Sequence, residues 1–454
     1  MKNVFTWWET GENKPPIADK AQISNLYNRT RNSVLWSVVL GYGVFYIGRL
    51  TLSVAKKPMM DAGILTPLEL GIIGSLLFYS YAIGKLTNGF LADRANIRKF
   101  ISTGLGVSAI MNLAFGMTTN FVAMAVLWLI NGWFQSMGSA PCVVSLTQWF
   151  SKKEIGTKYG VWAASHSIGE GITFIGTSTV VAAFGWKMGF IGPGILCLVV
   201  AIILYYTLAD RPETYGLPNI SNYNPDGSAT LKNEEAGGKQ DKKSIKDFQL
   251  QVLKSAVVWK VGLAATFLYT CRYAIHSWGP LYLQEAKGFT LMEAGTIMGV
   301  STMFGLGGAI FSGWFSDYFF KSKRNIPALI MGVLLTLGLL GLRTAPDNNV
   351  IYNVAFLGLF EFALGCLVVY IGGLWAVDLL PKQAAGSVKG IIGIFSYIGA
   401  ATQDWISGLL IEGGKTVTQG VTEYSFDTVF TFWIGSSIIA CLIPLTIWRA
   451  TPVK

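Results

Sequence analysis

Charge is what this chain has least of. Only 13% of its 454 residues are Asp, Glu, Lys or Arg, whereas a soluble domain carries about 25%. There are two histidines, and the five cysteines (Cys142, Cys197, Cys271, Cys366 and Cys441) stand singly in apolar stretches with no Cys-x-x-Cys spacing. Thiols in that setting read as small core residues, which argues against a disulfide framework or a metal site. No nucleophile-and-base constellation and no glycine-rich nucleotide loop stands out, so an enzyme has little support and no cofactor is expected. The polar segment 1–33 contains Trp7, Trp8, Pro15 and Pro16 but lacks the short apolar core of a secretory leader, and no cleaved leader is expected.

What the chain has instead is apolar length. It is 52% hydrophobic, with 52 glycines and 15 tryptophans and a mean hydropathy of +0.47. Twelve apolar stretches run approximately 34–57, 68–91, 100–118, 121–147, 158–184, 187–208, 256–284, 290–316, 326–343, 350–379, 386–411 and 427–449. Each can cross a hydrocarbon core about 30 Å thick at about 1.5 Å per helical residue. Unpaired backbone groups are not tolerated in lipid, and stretches this long exclude a barrel of short strands, so the expected fold is an all-α membrane protein of twelve transmembrane helices. Abundant glycine suits the close packing of such helices.

Placing both termini and the even-numbered loops on one side of the membrane collects 26 basic residues there. The other side holds six, namely Lys56, Lys57, Lys187, Lys287, Arg343 and Lys415. Positive loops stay cytoplasmic, so both termini are expected in the cytoplasm, and the net charge of +10 is a topology signal, not a nucleic-acid footprint. Of the 35 basic residues, three remain: Arg49, Lys85 and Arg272 lie inside the spans.

An internal repeat divides the spans into two sixes. The segment Gly89-Phe90-Leu91-Ala92-Asp93-Arg94 after the second span recurs as Gly313-Trp314-Phe315-Ser316-Asp317-Tyr318 after the eighth, an offset of 224. Lys152, Gly156 and Gly160 are echoed by Lys382, Gly386 and Gly390 at an offset of 230. The expected organisation is a cytoplasmic segment over 1–33, a six-helix bundle over 34–208, a solvated flexible linker over 209–252, a second six-helix bundle over 253–449 and a cytoplasmic tail over 450–454. Parallel repeats of this kind place a substrate at their interface near the membrane midplane.

Cations at bilayer depth are costly and mark sites. Arg49 and Arg272 are related by an offset of 223, within one position of that of the loops, so the repeat sets them facing each other across the centre. Two planar guanidinium forks can clamp one phosphate group from both sides. Each could instead pair with a helix carboxylate such as Glu170, Glu361 or Asp404. Lys85, with Tyr81 one turn earlier, either joins the clamp or snorkels to the end of its helix. His166 shares a face with Trp162 and Glu170, and that carboxylate would favour the imidazolium, making His166 a pH-sensitive ligand. His276, one turn after Arg272, is a weaker candidate. Tyr42 and Tyr46 before Arg49, and Tyr269 before Arg272, either pack or offer hydroxyls to a polar ligand.

The two Gly-x-x-x-Asp loops, with Asp93, Arg94 and Asp317, look like the cytoplasmic signature of the major facilitator superfamily. More narrowly, Tyr46-Ile47-Gly48-Arg49, Tyr81-Ala82-Ile83-Gly84-Lys85-Leu86, Ser165-His166-Ser167-Ile168-Gly169, Asp210-Arg211-Pro212-Glu213-Thr214-Tyr215-Gly216-Leu217 and Arg272-Tyr273-Ala274-Ile275-His276-Ser277-Trp278 resemble the organophosphate:phosphate antiporters. The resemblance implies a bacterial inner-membrane carrier, a monomer, that exchanges an organophosphate for inorganic phosphate. It implies that Arg49 and Arg272 bind phosphate, that Lys85 and His166 help, and that Tyr42, Tyr46, Tyr81, Trp162, Tyr269 and Tyr397 line the route. The chain departs from that family at Leu50, usually a lysine, and at Glu170, where a glycine is common. It departs again at Lys389 and Ile392, which in some hexose-phosphate carriers are aspartate and lysine. Leu127 to Gln135 and the Asp210 motif look closer to the hexose-phosphate branch, whose substrates include glucose 6-phosphate; glycerol 3-phosphate and phosphoglycerate remain open.

Facing arginines repel in an empty cavity, and a phosphate between them turns repulsion into attraction. If that preference is about 5 kcal/mol, loaded and empty closed populations differ by roughly 10⁴-fold, and exchange becomes the dominant cycle. A receptor that senses external hexose phosphate and signals to a membrane kinase would need the same cleft without turnover.

Overall fold

Among the described residues, six helix starts carry a side chain that satisfies an orphan N–H of the first turn: Asp19, Thr66, Asn96, Asn120, Thr290 and Asn349. The computed structural model describes residues 7–151, 153–220, 222–223, 254–321, 324–374, 385–419 and 421–447. Within them the chain folds as α1 (Lys20–Asp61), α2 (Pro67–Ala92), α3 (Ile97–Met117), α4 (Phe121–Gln135), α5 (Ser139–Trp149), α6 (Ile155–Phe184), α7 (Met188–Thr207), α8 (Ala256–Glu285), α9 (Leu291–Phe320), α10 (Asn325–Thr344), α11 (Val350–Val369), α12 (Ala385–Gly413) and α13 (Asp427–Leu442). Both α2 and α9 open with a capping box, Thr66 with Glu69 and Thr290 with Glu293. The two threonines share the offset of the Asp93 and Asp317 loops. Asn120 caps α4, and Asn349 caps α11 at close to the same offset. Local end signals thus carry the same repeat as the loops.

Among the described residues, ten helical segments are long and apolar enough to cross a membrane, α4 and α5 counting as one. The other two long helices, α8 and α12, have 30 and 29 residues and carry Arg272 and Asp404. Together they make the twelve helical crossings of the expected fold. Three details differ from expectation. The fourth span breaks at Ser136–Gly138 into α4 and α5, and the tenth ends in a π turn over Tyr370–Leu374, so the last part of that expected stretch, 375–379, lies outside the described residues. A two-stranded antiparallel hairpin, β1 (Lys415–Thr418) and β2 (Val421–Tyr424), joins α12 to α13. The alternating Thr416-Val417-Thr418 and Val421-Thr422-Glu423 around a Gln-Gly pair is a hairpin pattern.

The first six spans meet the last six along α2 against α12, α6 against α9, and α1 against α8. Glycine makes the first two seams. A Cβ on Gly74 would fall 1.7 Å from Asp404 Oδ2, one on Gly408 2.5 Å from the Pro67 carbonyl, and one on Gly295 2.6 Å from the Phe174 carbonyl. Backbones can approach so closely only without a side chain between them. Nearer the chain termini, Gly156 and Gly160 of α6 and Gly313 of α9 face open space.

On the side of the termini, the segment after α7 is not loose. Asp210 reaches the start of α3, its Oδ1 accepting from Ile97 N at 3.1 Å, while Trp149 Nε1 donates to the Asp210 carbonyl at 2.7 Å. Lys14 and Ile17 donate backbone bonds to Glu213 and Gly216, and Tyr27 stacks on Tyr223. Arg211 donates to the Asp93 carbonyl and to Thr10, which donates to the Arg94 carbonyl; Asp317 pairs with Arg324 at 2.6 Å. The expected flexible linker is therefore ordered in its first part. Its remainder from 224, the tail over 450–454 and the side chain of Lys389 lie outside the described residues.

Burial raises the Asp210 carboxyl above its ordinary range, so at neutral pH its charge is disfavoured by folding even as its oxygen caps α3. Asp210→Asn, which keeps an acceptor, is expected to be neutral or stabilising in thermal unfolding at pH 7, and Asp210→Ala to cost about 1–2 kcal/mol. A folding-raised acid stabilises as it protonates, so the difference between wild type and Asp210→Asn should shrink as pH falls toward the ordinary carboxyl range.

Candidate substrate site

The centre of the bundle is built from α1 and α8, the repeat-related helices that carry the arginines. Both guanidinium groups are buried, Arg49 with 3% and Arg272 with 7% of its surface exposed. Arg49 lies against two ring faces, its Cζ 4.6 Å from the Tyr46 centroid and 4.4 Å from that of Tyr81. Arg272 lies 5.8 Å from both Tyr269 and Tyr273. Cation–π contacts of this kind hold a guanidinium in place without using up its N–H donors. Tyr46 and Tyr273 lie in the field of both arginines. One donor on each, Arg49 Nη1 and Arg272 Nε, is buried without a hydrogen-bond partner among the described residues, a costly arrangement in a native interior.

Most of the residues expected at the site come together. Tyr42 packs on Trp162 at 4.7 Å between centroids and on Tyr46 at 5.4 Å, and Tyr46 lies 5.6 Å from the His166 ring. Tyr81 meets Tyr397 at 4.3 Å and Tyr269 meets Tyr397 at 5.7 Å. Lys85 Nζ sits 5.2 Å over Tyr397. Tyr273 and Phe78 complete this aromatic wall, their centroids 4.4 Å apart. Lys85, His166 and Tyr269 are partly exposed whereas Arg49 and Lys56 are not.

The two arginines have unlike partners. Arg49 reaches the neutral amide of Gln135, both Nε and Nη2 lying 3.4 Å from its Oε1. That amide is held by Ser108, which also bonds Asn131, and Asn131 and Asn112 donate to the carbonyl of Gly48. Arg272 forms a charge-assisted bond to Glu170 Oε1 at 2.7 Å. Among the described residues, carboxylate pairing, the alternative to a phosphate clamp, thus holds for Arg272 and not for Arg49.

The remaining ionisable groups are placed differently from the expectation. Glu170 turns to Arg272 and His276 rather than to His166, because a guanidinium from the facing helix offers a stronger bond than an imidazole one turn along. His166 contacts its own helix through the Ala163 carbonyl and lies 3.3 Å from Ser167 Oγ. His276 is the histidine in the charge network, 2.8 Å from Glu361 and 3.4 Å from Glu170. Glu361 follows Gln135 at nearly the offset of the repeat.

Lys56, counted among the six basic residues of the far side, is instead interior. Because α1 runs on to Asp61, Lys56 is fully buried, 3.3 Å from Asp404 Oδ1 and 2.8 Å from Ser277 Oγ, with its Nζ 3.2 Å over the Trp278 ring. Asp404, expected as an arginine partner, takes this lysine. Lys57 beside it pairs with Glu285 and, at 3.1 Å, with Asp61. These bridges tie α1 to α8 and α12 at the end of the bundle away from the termini. Arg49 and Asp404 border one small cavity, together with Ser53, Phe78 and Ser277.

Residues 38–402 match the family model of the Major Facilitator Superfamily. A bacterial homologue of the human lysosomal transporter Spinster, solved in an inward-facing and occupied conformation, shares the fold with a TM-score of 0.72 at 14% identity, over 93% of this chain and 97% of that one. The architecture is that of a major facilitator transporter. The chain is 32% identical to the membrane sensor protein UhpC of Escherichia coli (strain K12) over 397 residues, 86% of this chain and 88% of that one. It is 31% identical to a probable hexose phosphate transport protein of Chlamydia muridarum over 445 residues, covering 96% and 94% of the two chains. With the glycerol-3-phosphate transporter of Bacillus subtilis (strain 168) it shares 32% over 441 residues, 95% of each. The chain belongs to the organophosphate:phosphate antiporter family of this superfamily and is a multi-pass membrane transport protein, not an enzyme.

Removing one partner of a buried ion pair leaves a bare charge. Lys56→Met and Asp404→Leu are each expected to destabilise this closed contact by about 3–5 kcal/mol. The double variant should recover most of that loss in a detergent thermal-unfolding cycle.

Proposed function

We propose that this protein is an organophosphate carrier of a bacterial inner membrane, with both termini in the cytoplasm, that exchanges a phosphate ester for inorganic phosphate by alternating access. The observation that carries the reading is the pair of buried guanidinium groups on repeat-related helices, each backed by tyrosine rings and each with a hydrogen-bond donor unused. A phosphoryl group supplies the acceptor oxygens and the negative charge that both lack. Lys85 and His166, partly exposed beside the aromatic wall, are read as helping to bind the ester, and Tyr42, Trp162 and Tyr397 as lining its route. Hexose 6-phosphate is the favoured ester, since Leu127 to Gln135 and the Asp210 motif resemble the hexose-phosphate branch and the Chlamydia muridarum relative carries hexose phosphate in its name; glycerol 3-phosphate, named in a relative of equal similarity, is the next.

A second reading is supported by the likeness to a membrane sensor protein. The same cleft would bind external hexose phosphate and pass a conformational signal to a membrane kinase without turnover. Counterflow of labelled phosphate in proteoliposomes separates the two, because a receptor binds and does not exchange. Inhibition of that counterflow by a panel of phosphate esters ranks the substrates.

Arg49→Lys and Arg272→Lys each preserve charge and remove the fork. Each is expected to lower phosphate exchange at least about 100-fold, the scale of about 2.7 kcal/mol of lost clamp energy. Wild-type exchange in either variant would remove the clamp from the account.

A further inference from the structure

Glu170 connects the two six-span halves through the guanidinium assigned to the substrate. It stands on α6, and Arg272 stands on α8 across the interface, 2.7 Å away and buried. The contact has the two attributes of a bound phosphate oxygen, negative charge and a charge-assisted hydrogen bond to Arg272. On the proposed reading, exchange dominates because the empty cavity sets cation against cation. A carboxylate entering that cavity from the opposite half removes part of the repulsion with no ligand present. We propose that this chain has a second transport mode, net movement of phosphate or a phosphate ester, in which the empty carrier returns with Glu170 standing in for substrate on Arg272. This inference rests on the reading of Arg49 and Arg272 as the phosphate site.

The surroundings provide for both positions of the carboxylate. When a phosphoryl group takes Arg272, Glu170 still has His276 Nδ1 at 3.4 Å, a buried nitrogen without a hydrogen-bond partner among the described residues. The other nitrogen of that ring is fixed by Glu361 at 2.8 Å, so the imidazole is already aimed at the displaced carboxylate. Arg49 has no such carboxylate among the described residues, and the acceptor it reaches is the neutral amide of Gln135. Compensation of one arginine out of two makes the empty return slower than the loaded one, and not absent. Glu170 and phosphate also compete for the same donors, so removing the carboxylate both tightens phosphate binding and strands the empty carrier.

The test uses the full-length protein in proteoliposomes loaded with labelled inorganic phosphate, with valinomycin and equal potassium on both sides to dissipate the charge that net anion movement builds. Efflux is compared in phosphate-free medium and in medium containing phosphate. Wild type is expected to release label into phosphate-free medium at about one-tenth of its exchange rate or faster, and in Glu170→Gln this ratio is expected to fall at least about tenfold while the half-saturating phosphate concentration drops. Exchange in wild type with no phosphate-free efflux above that of empty liposomes overturns the inference while leaving the exchange reading intact. A wild-type ratio in Glu170→Gln overturns it as well. If that variant does not fold, the wild-type ratio decides alone, and Glu170→Asp, charged but shorter, should give an intermediate value. Absence of phosphate exchange in wild type would sink the underlying reading, and the inference with it.

Discussion

A guanidinium buried in a protein cannot neutralise itself by losing its proton, so its surroundings must carry the compensation. In this protein the central question for the whole bundle is what compensates Arg49 and Arg272. Tyrosine faces supply part of the answer for both, and Glu170 supplies more for Arg272 alone. The remaining deficit sits between the two halves, where a dianion would settle it. That deficit links binding to the position of the halves, because a ligand that touches both arginines stabilises only those arrangements that bring them together.

Under the proposed alternating access, the rest of the architecture has to close around that centre and open again. Glycine seams along α2 against α12 and α6 against α9 let backbones touch at the end of the bundle away from the termini, and the Lys56 bridge to Asp404 and Ser277 fastens α1 there. A buried ion pair adds little net stability against an apolar pair of the same shape, yet it is intolerant of being half broken. Such a contact is suited to a latch that is either made or fully parted. At the other end, the segment from Asp210 to Gly216 and the residues before α1 strap the loop after α2 to the start of α3. These contacts tie the ends of α2, α3, α5 and α7 on the side of the termini to one another.

Much of this is legible in the residues. The apolar stretches, the paired loops at Asp93 and Asp317, and the near-identical offset of Arg49 and Arg272 express constraints that act locally or by repetition. The capping boxes at Thr66 and Thr290 carry the same offset and are equally readable. Pairings across helices are not. Glu170 is one turn from His166 in the chain, and only the approach of α8 decides that its partner is Arg272. Lys56 reads as a residue at the end of its span because the sequence does not tell that the helix runs on past Pro58 to Asp61, and its partner Asp404 is 348 residues away. Gln135 and Tyr273 stand inside motifs that carry the resemblance, yet their place beside a guanidinium is not legible for the same reason: amides and aromatics are common in helical spans, and only three-dimensional proximity singles them out.

The most direct test of the central claim is a density map of the protein in lipid nanodiscs with glucose 6-phosphate or inorganic phosphate bound. The account requires the phosphoryl group to lie within hydrogen-bond distance of both Arg49 and Arg272, with Glu170 withdrawn from Arg272 toward His276. A phosphoryl group held elsewhere, or bound while the Glu170 contact to Arg272 stays intact, would contradict it.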